Sequence, residues 1–202
     1  MARIGIFRSA IIVAILVLIL GVGIYTVLQR FASESSQPSY DSFGDEFTLI
    51  SQDGPISLSK FRGKVVVLFF GYTSCPDICP TDLARMAAAF RMLSKKELEE
   101  TKGIFVSIDH SRDTVMIVSA YANFFHNNII GLTGDETTLS KVAKDYFVFF
   151  DKAETGDTSE DYTLDHSTTT YLLDREGKVR KLIKHDATTG DLAAAIRHVL
   201  KS

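Results

Sequence analysis

The chain has 202 residues, with 22 lysines and arginines against 25 aspartates and glutamates and a formal net charge of −3. That length suits one well-buried domain plus an appendage. The acidic balance excludes the basic face that nucleic-acid binding requires.

The appendage comes first. No charged residue lies between Arg8 and Arg30, and Ala10 to Leu28 is apolar apart from Tyr25, Thr26 and two glycines, which is length enough to cross a bilayer as a helix. Arg3 and Arg8 precede the segment without an acid, whereas Glu34, Asp41 and Asp45 follow Arg30. The positive-inside rule then keeps residues 1–9 in the cytoplasm, makes 10–29 a transmembrane anchor and exports the remainder. The competing reading is a cleaved signal peptide, whose apolar region would be unusually long and whose nearest small-x-small pattern is Gly21-Val22-Gly23. Eight residues before the span leave no room for a mitochondrial transit sequence. The expected location is the bacterial inner membrane, single-pass, with the C-terminal domain in the periplasm. Residues 30–40, with four serines between Phe31 and Tyr40, read as a flexible tether. Without the three arginines of residues 1–30, 19 of the 22 basic residues remain against 25 acidic ones, so the exported part carries −6.

From Asp41 to the end, strand and helix patterns alternate in one domain, 41–202. Phe47 to Ile50 and Ile56 to Leu58 flank an Asp53-Gly54 turn, a β-hairpin signal. Val65 to Phe70 is apolar at every position, as in a central strand covered on both faces. A helix follows Pro80, with Pro80 as its first residue and Cys79 as its N-cap. Next come a strand Ile104 to Asp109, a helix near Thr114 to Phe125, a strand Ile129 to Leu132, and a helix from about Thr137 to Tyr146. The last third supplies a strand Thr169 to Leu173, a turn at Asp174 to Gly177, a strand Lys178 to Ile183 and a closing helix from Asp191. This order predicts a three-layer α/β fold with a mixed central sheet. The phenylalanines Phe69, Phe70, Phe124, Phe125, Phe147, Phe149 and Phe150 are expected to pack the core.

The chemistry concentrates at the exit of the central strand, in Gly71-Tyr72-Thr73-Ser74-Cys75-Pro76-Asp77-Ile78-Cys79-Pro80. Cys75 and Cys79 are the only cysteines in the chain. A thiol at the head of a helix feels the positive end of its dipole, which lowers its pKa. Three readings compete. A structural disulfide would close a loop so short that it stabilises by only about 2 kcal/mol. Thiol–disulfide exchange ordinarily uses C-x-x-C, one residue shorter than this spacing, and no proline follows Pro80 to stand in the cis-proline loop of such enzymes. A metal site needs further ligands, and His110, His126, His166, His185 and His198 are available. His110 and His166 each lie within an Asp-His-Ser triplet. Two soft thiolates and an imidazole suit copper, above all Cu(I), whereas zinc would want a fourth ligand or an activated water.

The run from Gly63 to Pro80 resembles the signature of the Sco/SenC family, membrane-anchored copper proteins that help assemble the CuA centre of cytochrome c oxidase. Two further blocks are similar to the same family: Asp161-Tyr162-Thr163-Leu164-Asp165-His166-Ser167 continuing through Tyr171 to Gly177, and Ser107 to Thr114. The second departs from the family pattern, which usually has proline where His110 and Val115 stand here. The resemblance covers residues 41 to 200. It implies a thioredoxin-like fold with an inserted hairpin, and copper, as Cu(I) or Cu(II), bound by Cys75, Cys79 and His166, which lies 87 positions after Cys79. It also implies a metallochaperone rather than an enzyme. The reduced pair holds the metal, and oxidation to a Cys75–Cys79 disulfide closes the site. The expected partners are the oxidase subunit carrying CuA, other periplasmic copper chaperones or thiol reductases, and the membrane through the N-terminal helix, with no nucleic acid. The alternative is a thiol–disulfide oxidoreductase or redox sensor built on the same redox-active pair. His110 is either a further copper ligand or a solvated loop residue. The acidic stretch from Asp151 to Asp165 is either a docking surface or a solvated loop, and Asp165 is a candidate to orient His166.

Overall fold

The computed structural model describes residues 17–26, 40, 43–154 and 162–202, and the chain divides into two compact units, Met1–Ser39 and Tyr40–Ser202. In the first unit, residues 17–26 form helix α1. The anchor expected over 10–29 otherwise lies outside the described residues, as does the tether except for Tyr40. Among the described residues no helix is long and apolar enough to cross a membrane.

The second unit opens with the expected hairpin. Strands β1 (Thr48–Ser51) and β2 (Gly54–Ser57) pair antiparallel, and Gly54 takes a φ of 100° at the turn, a conformation only glycine adopts without strain. A 3-10 turn, Leu58–Phe61, leads to β3 (Val65–Gly71), every residue of which is buried. Then follow α2 (Ile78–Arg91), the short α3 (Lys95–Glu99), β4 (Thr101–Ser107), α4 (Val115–Phe125), β5 (Ile129–Leu132) and α5 (Glu136–Asp145). The chain continues through β6 (Phe150–Glu154), β7 (Tyr162–His166), β8 (Thr170–Leu173), β9 (Val179–Ile183) and α6 (Thr189–Lys201). Helix starts follow local chemistry: Thr114 accepts the Ile117 N–H, Asp135 the Thr138 N–H, and Thr188 with Asp191 forms a capping box.

The main sheet has the order β5-β4-β3-β8-β9, with β3, β4 and β5 parallel and β8 and β9 antiparallel to their neighbours. Strand β3 is therefore central, as its unbroken apolar run predicts. Alternation along it separates the two faces. Phe69 stacks on Phe105, which meets Tyr121 of α4, while a side chain at Gly71 would run into Cys79 of α2. So α2 and α4 cover that face, with α6 packed beside α2. Phe70 turns the other way, against Tyr146 at the end of α5 and Tyr171. Tyr146 in turn meets Phe47 of the first hairpin, and the Ile50 and Thr133 backbones exchange hydrogen bonds of 2.8 and 3.0 Å, which seats β1 at the end of β5. Helices and hairpin on opposite faces of a mixed sheet make the expected three layers.

Strands β6 and β7 form a separate antiparallel hairpin outside the main sheet, so part of the acidic stretch read as a loop is regular structure. Of the phenylalanines assigned to the core, Phe69 and Phe70 are buried and Phe125 and Phe150 half-buried. Phe124, Phe147 and Phe149 are 83%, 61% and 66% exposed, which corrects the sequence reading. Phe124 lies on the outer face of α4, and Phe147 and Phe149 alternate with buried Tyr146 and Val148 on the approach to a hairpin covered on one side. Phe147 also carries a positive φ of 54°, its ring 4.7 Å from that of Phe43.

These positions separate cleanly in stability. Phe70→Ala is expected to lower the unfolding free energy by about 3–5 kcal/mol through lost burial and a cavity. Phe124→Ala should stay within about 0.5 kcal/mol. Equilibrium urea unfolding of the two variants measures both.

Candidate metal centre

The end of β3 fixes the first half of the site. Beyond Gly71 the chain turns through Tyr72, Thr73 and Ser74 into the cysteine loop, and Asp113 anchors that turn. Its carboxylate accepts the Thr73 N–H at 2.8 Å and the hydroxyls of Thr73 and Ser107 at 2.5 Å each. Asp113 is buried and its oxygens are all used, so the loop has one well-defined seat.

Helix α2 begins two residues earlier than the sequence suggests. Its N-cap is Asp77, Cys79 is the second helical residue and Pro80 the third. The proline fits there because the N–H it lacks would have had no partner within the helix. Asp77 makes no side-chain cap; the N–H of Cys79, which has no partner within the helix, points instead at Sγ of Cys75, 3.4 Å away. The sulfur that profits from the helix N-terminus is therefore Cys75, in the loop, and not Cys79. Cys75 is half-buried, Cys79 fully buried, and both are free thiols. A Cβ on Gly71 would stand 2.6 Å from Cys79 Sγ, so a side chain at the strand end would displace the thiol.

The second half comes from the last residue of β7. His166 brings Nε2 to 3.3 Å from Cys79 Sγ, and its Nδ1 lies 2.9 Å from the carbonyl of Ser167. A carbonyl only accepts, so Nδ1 carries a hydrogen, and in the neutral ring the Nε2 lone pair faces the sulfurs. The rings of Phe69 and Tyr72 meet the imidazole edge-on at 6.3 and 5.8 Å and hold its plane. Asp165, the sequence candidate for this orienting role, is exposed on the opposite face of the strand. The Ser167 carbonyl takes the part, a backbone group that no side-chain pattern announces.

Cys75 Sγ, Cys79 Sγ and one ring nitrogen of His166 lie within 4.8 Å of one another, the one such group of ligand atoms among the described residues. His110 is elsewhere, its Nε2 3.8 Å from Glu136. His185 pairs with Asp82 at 2.9 Å, His126 accepts the Asn128 N–H at 3.0 Å, and His198 is exposed on α6. Two sulfurs and one imidazole, with Cys75 still reached by solvent, make a soft three-donor set with an open side.

The two thiols are unlike. Cys75 is pulled down to about 4, first by the hydrogen bond from the Cys79 thiol and then, against burial, by the N–H groups of Cys79 and Asp77. Cys79 is pushed up, first by its hydrogen bond to the Cys75 thiolate, then by burial and the charge of Asp82 one turn along the helix. At neutral pH the pair holds a single proton. It sits on Cys79, between the Cys75 sulfur and His166 Nε2.

A thioredoxin-like α/β domain with a cysteine pair at a strand-to-helix junction, and a histidine brought to it by an inserted hairpin, is the class that this fold and site define. A sequence profile described as SCO1/SenC matches residues 35–201. The SCO2-like protein RC0895 of Rickettsia conorii is 37% identical over 156 residues, 77% of this chain and 76% of that protein. The structure of Bradyrhizobium japonicum ScoI with copper bound matches with a TM-score of 0.71 at 34% identity, covering 78% of this chain and 99% of the other. Yeast Sco1 with copper bound gives 0.72 at 30% identity, covering 80% and 90%. The chain belongs to the SCO1/SenC family.

The thiol asymmetry is directly measurable. Thiolate is the reactive form, so a depressed pKa keeps Cys75 fully reactive above it and lets the rate fall only as pH drops through it. Iodoacetamide alkylation of the reduced, metal-free protein is expected to be flat through neutral pH, with a midpoint near 4. Cys79→Ala removes the main stabilising donor and should carry the midpoint up toward the ordinary thiol value of about 8.5.

Proposed function

We propose that this chain is a membrane-anchored, periplasm-facing copper carrier that takes copper on Cys75, Cys79 and His166 and passes it to the CuA-bearing subunit of cytochrome c oxidase. The observation that carries the reading is the three-donor cluster within 4.8 Å. Its donors match Cu(I), which accepts three soft ligands. Among the described residues no fourth histidine, cysteine or carboxylate joins the group to close a tetrahedron for structural zinc. The copper-bound relatives at 30% and 34% identity support the choice of ion. The apolar segment 10–29 and the tether after it support anchoring beside a membrane-bound acceptor.

Loading and release follow from the geometry. Cys75 meets the ion as a thiolate, His166 presents the Nε2 lone pair, and Cys79 gives up the one proton held between them. The solvent-facing side at Cys75 is where an acceptor's ligands reach the ion and displace the chain's own, one bond at a time. The acidic segment of the hairpin around Asp151 and Asp165 lies on the side of β7 away from His166 and remains a docking surface for a basic acceptor. In metal-free protein the same two thiols have a second chemistry: the Cys75 thiolate attacks an oxidised thiol pair, and Cys79 resolves the mixed disulfide. The depressed pKa and partial exposure of Cys75, against the burial of Cys79, favour that as the second reading.

Titration of the reduced full chain with Cu(I) against a competing chelator decides between them. Copper binding at pH 7 should release about one thiol proton, because of the two cysteines only Cys79 enters protonated. Cys75→Ser, Cys79→Ser and His166→Ala should each weaken binding at least 10- to 100-fold, the range already seen when groups behind metal ligands are removed. X-ray absorption should find sulfur and nitrogen around the ion. Parental copper affinity in His166→Ala, together with fast disulfide reduction, would give the exchange reading precedence.

A further inference from the structure

The two halves of the site are carried by segments that share no main-sheet hydrogen bond: the cysteine loop leaves β3, and His166 ends a hairpin of its own. Both are fastened to one stretch of chain, residues 108–114 between β4 and α4. Asp113 seats the cysteine loop through Thr73, as described above. Asp109 and Arg112, at the other end of the stretch, seat the hairpin.

The second fastening is built around Tyr162, the first residue of β7. Asp109 is 3% exposed. Its Oδ1 accepts the Tyr162 hydroxyl at 2.6 Å, and its Oδ2 accepts Nε of Arg112 at 2.6 Å. The Arg112 guanidinium lies 3.6 Å above the centre of the Tyr162 ring, and its Nη1 donates to the Tyr162 carbonyl at 2.9 Å. The backbone N–H of Arg112 returns to Asp109 Oδ1 at 3.3 Å, which closes the turn. A charged plane on an aromatic face, with both partners hydrogen-bonded to one buried carboxylate, admits few geometries. Farther along, the Leu164 N–H donates to the Tyr72 hydroxyl at 3.2 Å. Tyr162, Leu164 and His166 share one face of β7 by the two-residue period of a strand, and that face is turned inward. The strand is a short rigid arm clamped at Tyr162, steadied at Leu164 and ending in the imidazole.

We infer that Asp109, Arg112 and Tyr162 are positioning residues for the metal centre, a clamp that sets the distance from His166 to the two thiols without touching the metal. The inference rests on the copper reading above and deepens it. It assigns a role to the Asp-x-x-Arg pair in the block from Ser107 to Thr114, which no motif argument about ligands reaches.

The test is a double-mutant cycle with His166. In the reduced full chain, Tyr162→Leu removes the stack and the hydroxyl; it should weaken Cu(I) binding about tenfold, as loss of groups behind a metal ligand does, and lower the nitrogen contribution in X-ray absorption. In a His166→Ala background the same substitution should change affinity less than twofold. Tyr162→Phe keeps the ring and deletes one hydroxyl, so the fold is retained and a smaller loss, again confined to the chain with His166, is expected. Equal losses with and without His166, or parental affinity in both variants, overturn the clamp. Hydrogen exchange of the metal-free protein separates this from failure of the copper reading: Tyr162→Leu should speed exchange at residues 164–166 while residues 101–107 stay protected, and unchanged exchange overturns the clamp whatever the chain binds.

Discussion

One negative charge, shared unequally by two sulfurs, organises the site. The N-terminus of α2 offers N–H groups that the helix itself cannot use, and Asp77 leaves them uncapped. Cys75 accepts one, the Cys79 thiol supplies a second donor, and the charge settles on the outer sulfur. Most of what surrounds Cys79 works in the opposite direction: the neighbouring thiolate, burial and the Asp82 carboxylate keep its proton in place against the pull of the Tyr72 backbone. The result is a site half prepared, with a half-buried thiolate beside a fully buried thiol that keeps its proton.

That arrangement depends on close packing at the strand end. Cys79 Sγ occupies the space a side chain at residue 71 would fill, with the Phe69 and Phe105 rings also against it. Protein interiors transmit such contacts because they are as dense as molecular crystals. The position of the buried sulfur is therefore set by β3, the most deeply covered strand of the sheet. The imidazole, in contrast, rides on a hairpin outside that sheet and takes its position from side chains.

The same division explains what could be read in the sequence. The central strand, the first hairpin, the helices near Thr114 and Thr137, and the closing strands were legible because their periodicity and caps are local. Cys79 was misplaced by two helical positions because a proline is tolerated equally at the first and third residues of a helix, where its missing N–H costs nothing. The exposed Phe124 was misread because α4 carries no charged residue from Val115 to Phe125, leaving its buried and outer faces without contrast. Strand β6, Phe-Asp-Lys-Ala-Glu, has the charge content of a loop, and its pairing with β7 supplies the order. His166 stood out through its motif block, but its meeting with Cys79, 87 positions earlier, is a product of topology. The Ser167 carbonyl that selects its tautomer is backbone and leaves no trace in composition.

The stretch 108–114 shows why a motif can be informative before its role is known. It contributes no donor atom to the metal cluster, and its own histidine, His110, faces away toward Glu136. Yet its two buried acids divide the work between the halves of the site, Asp113 toward the cysteine loop and Asp109 toward the hairpin. Both are buried, and a buried carboxylate is retained only where its hydrogen bonds are met. The Ser107 hydroxyl joins the two, donating to Asp113 and accepting the N–H of Asp109. Separation between thiols and imidazole is thus controlled by a single turn of chain anchored on β4. A rigid turn of this kind lets a three-donor site stay open on one side without losing its geometry.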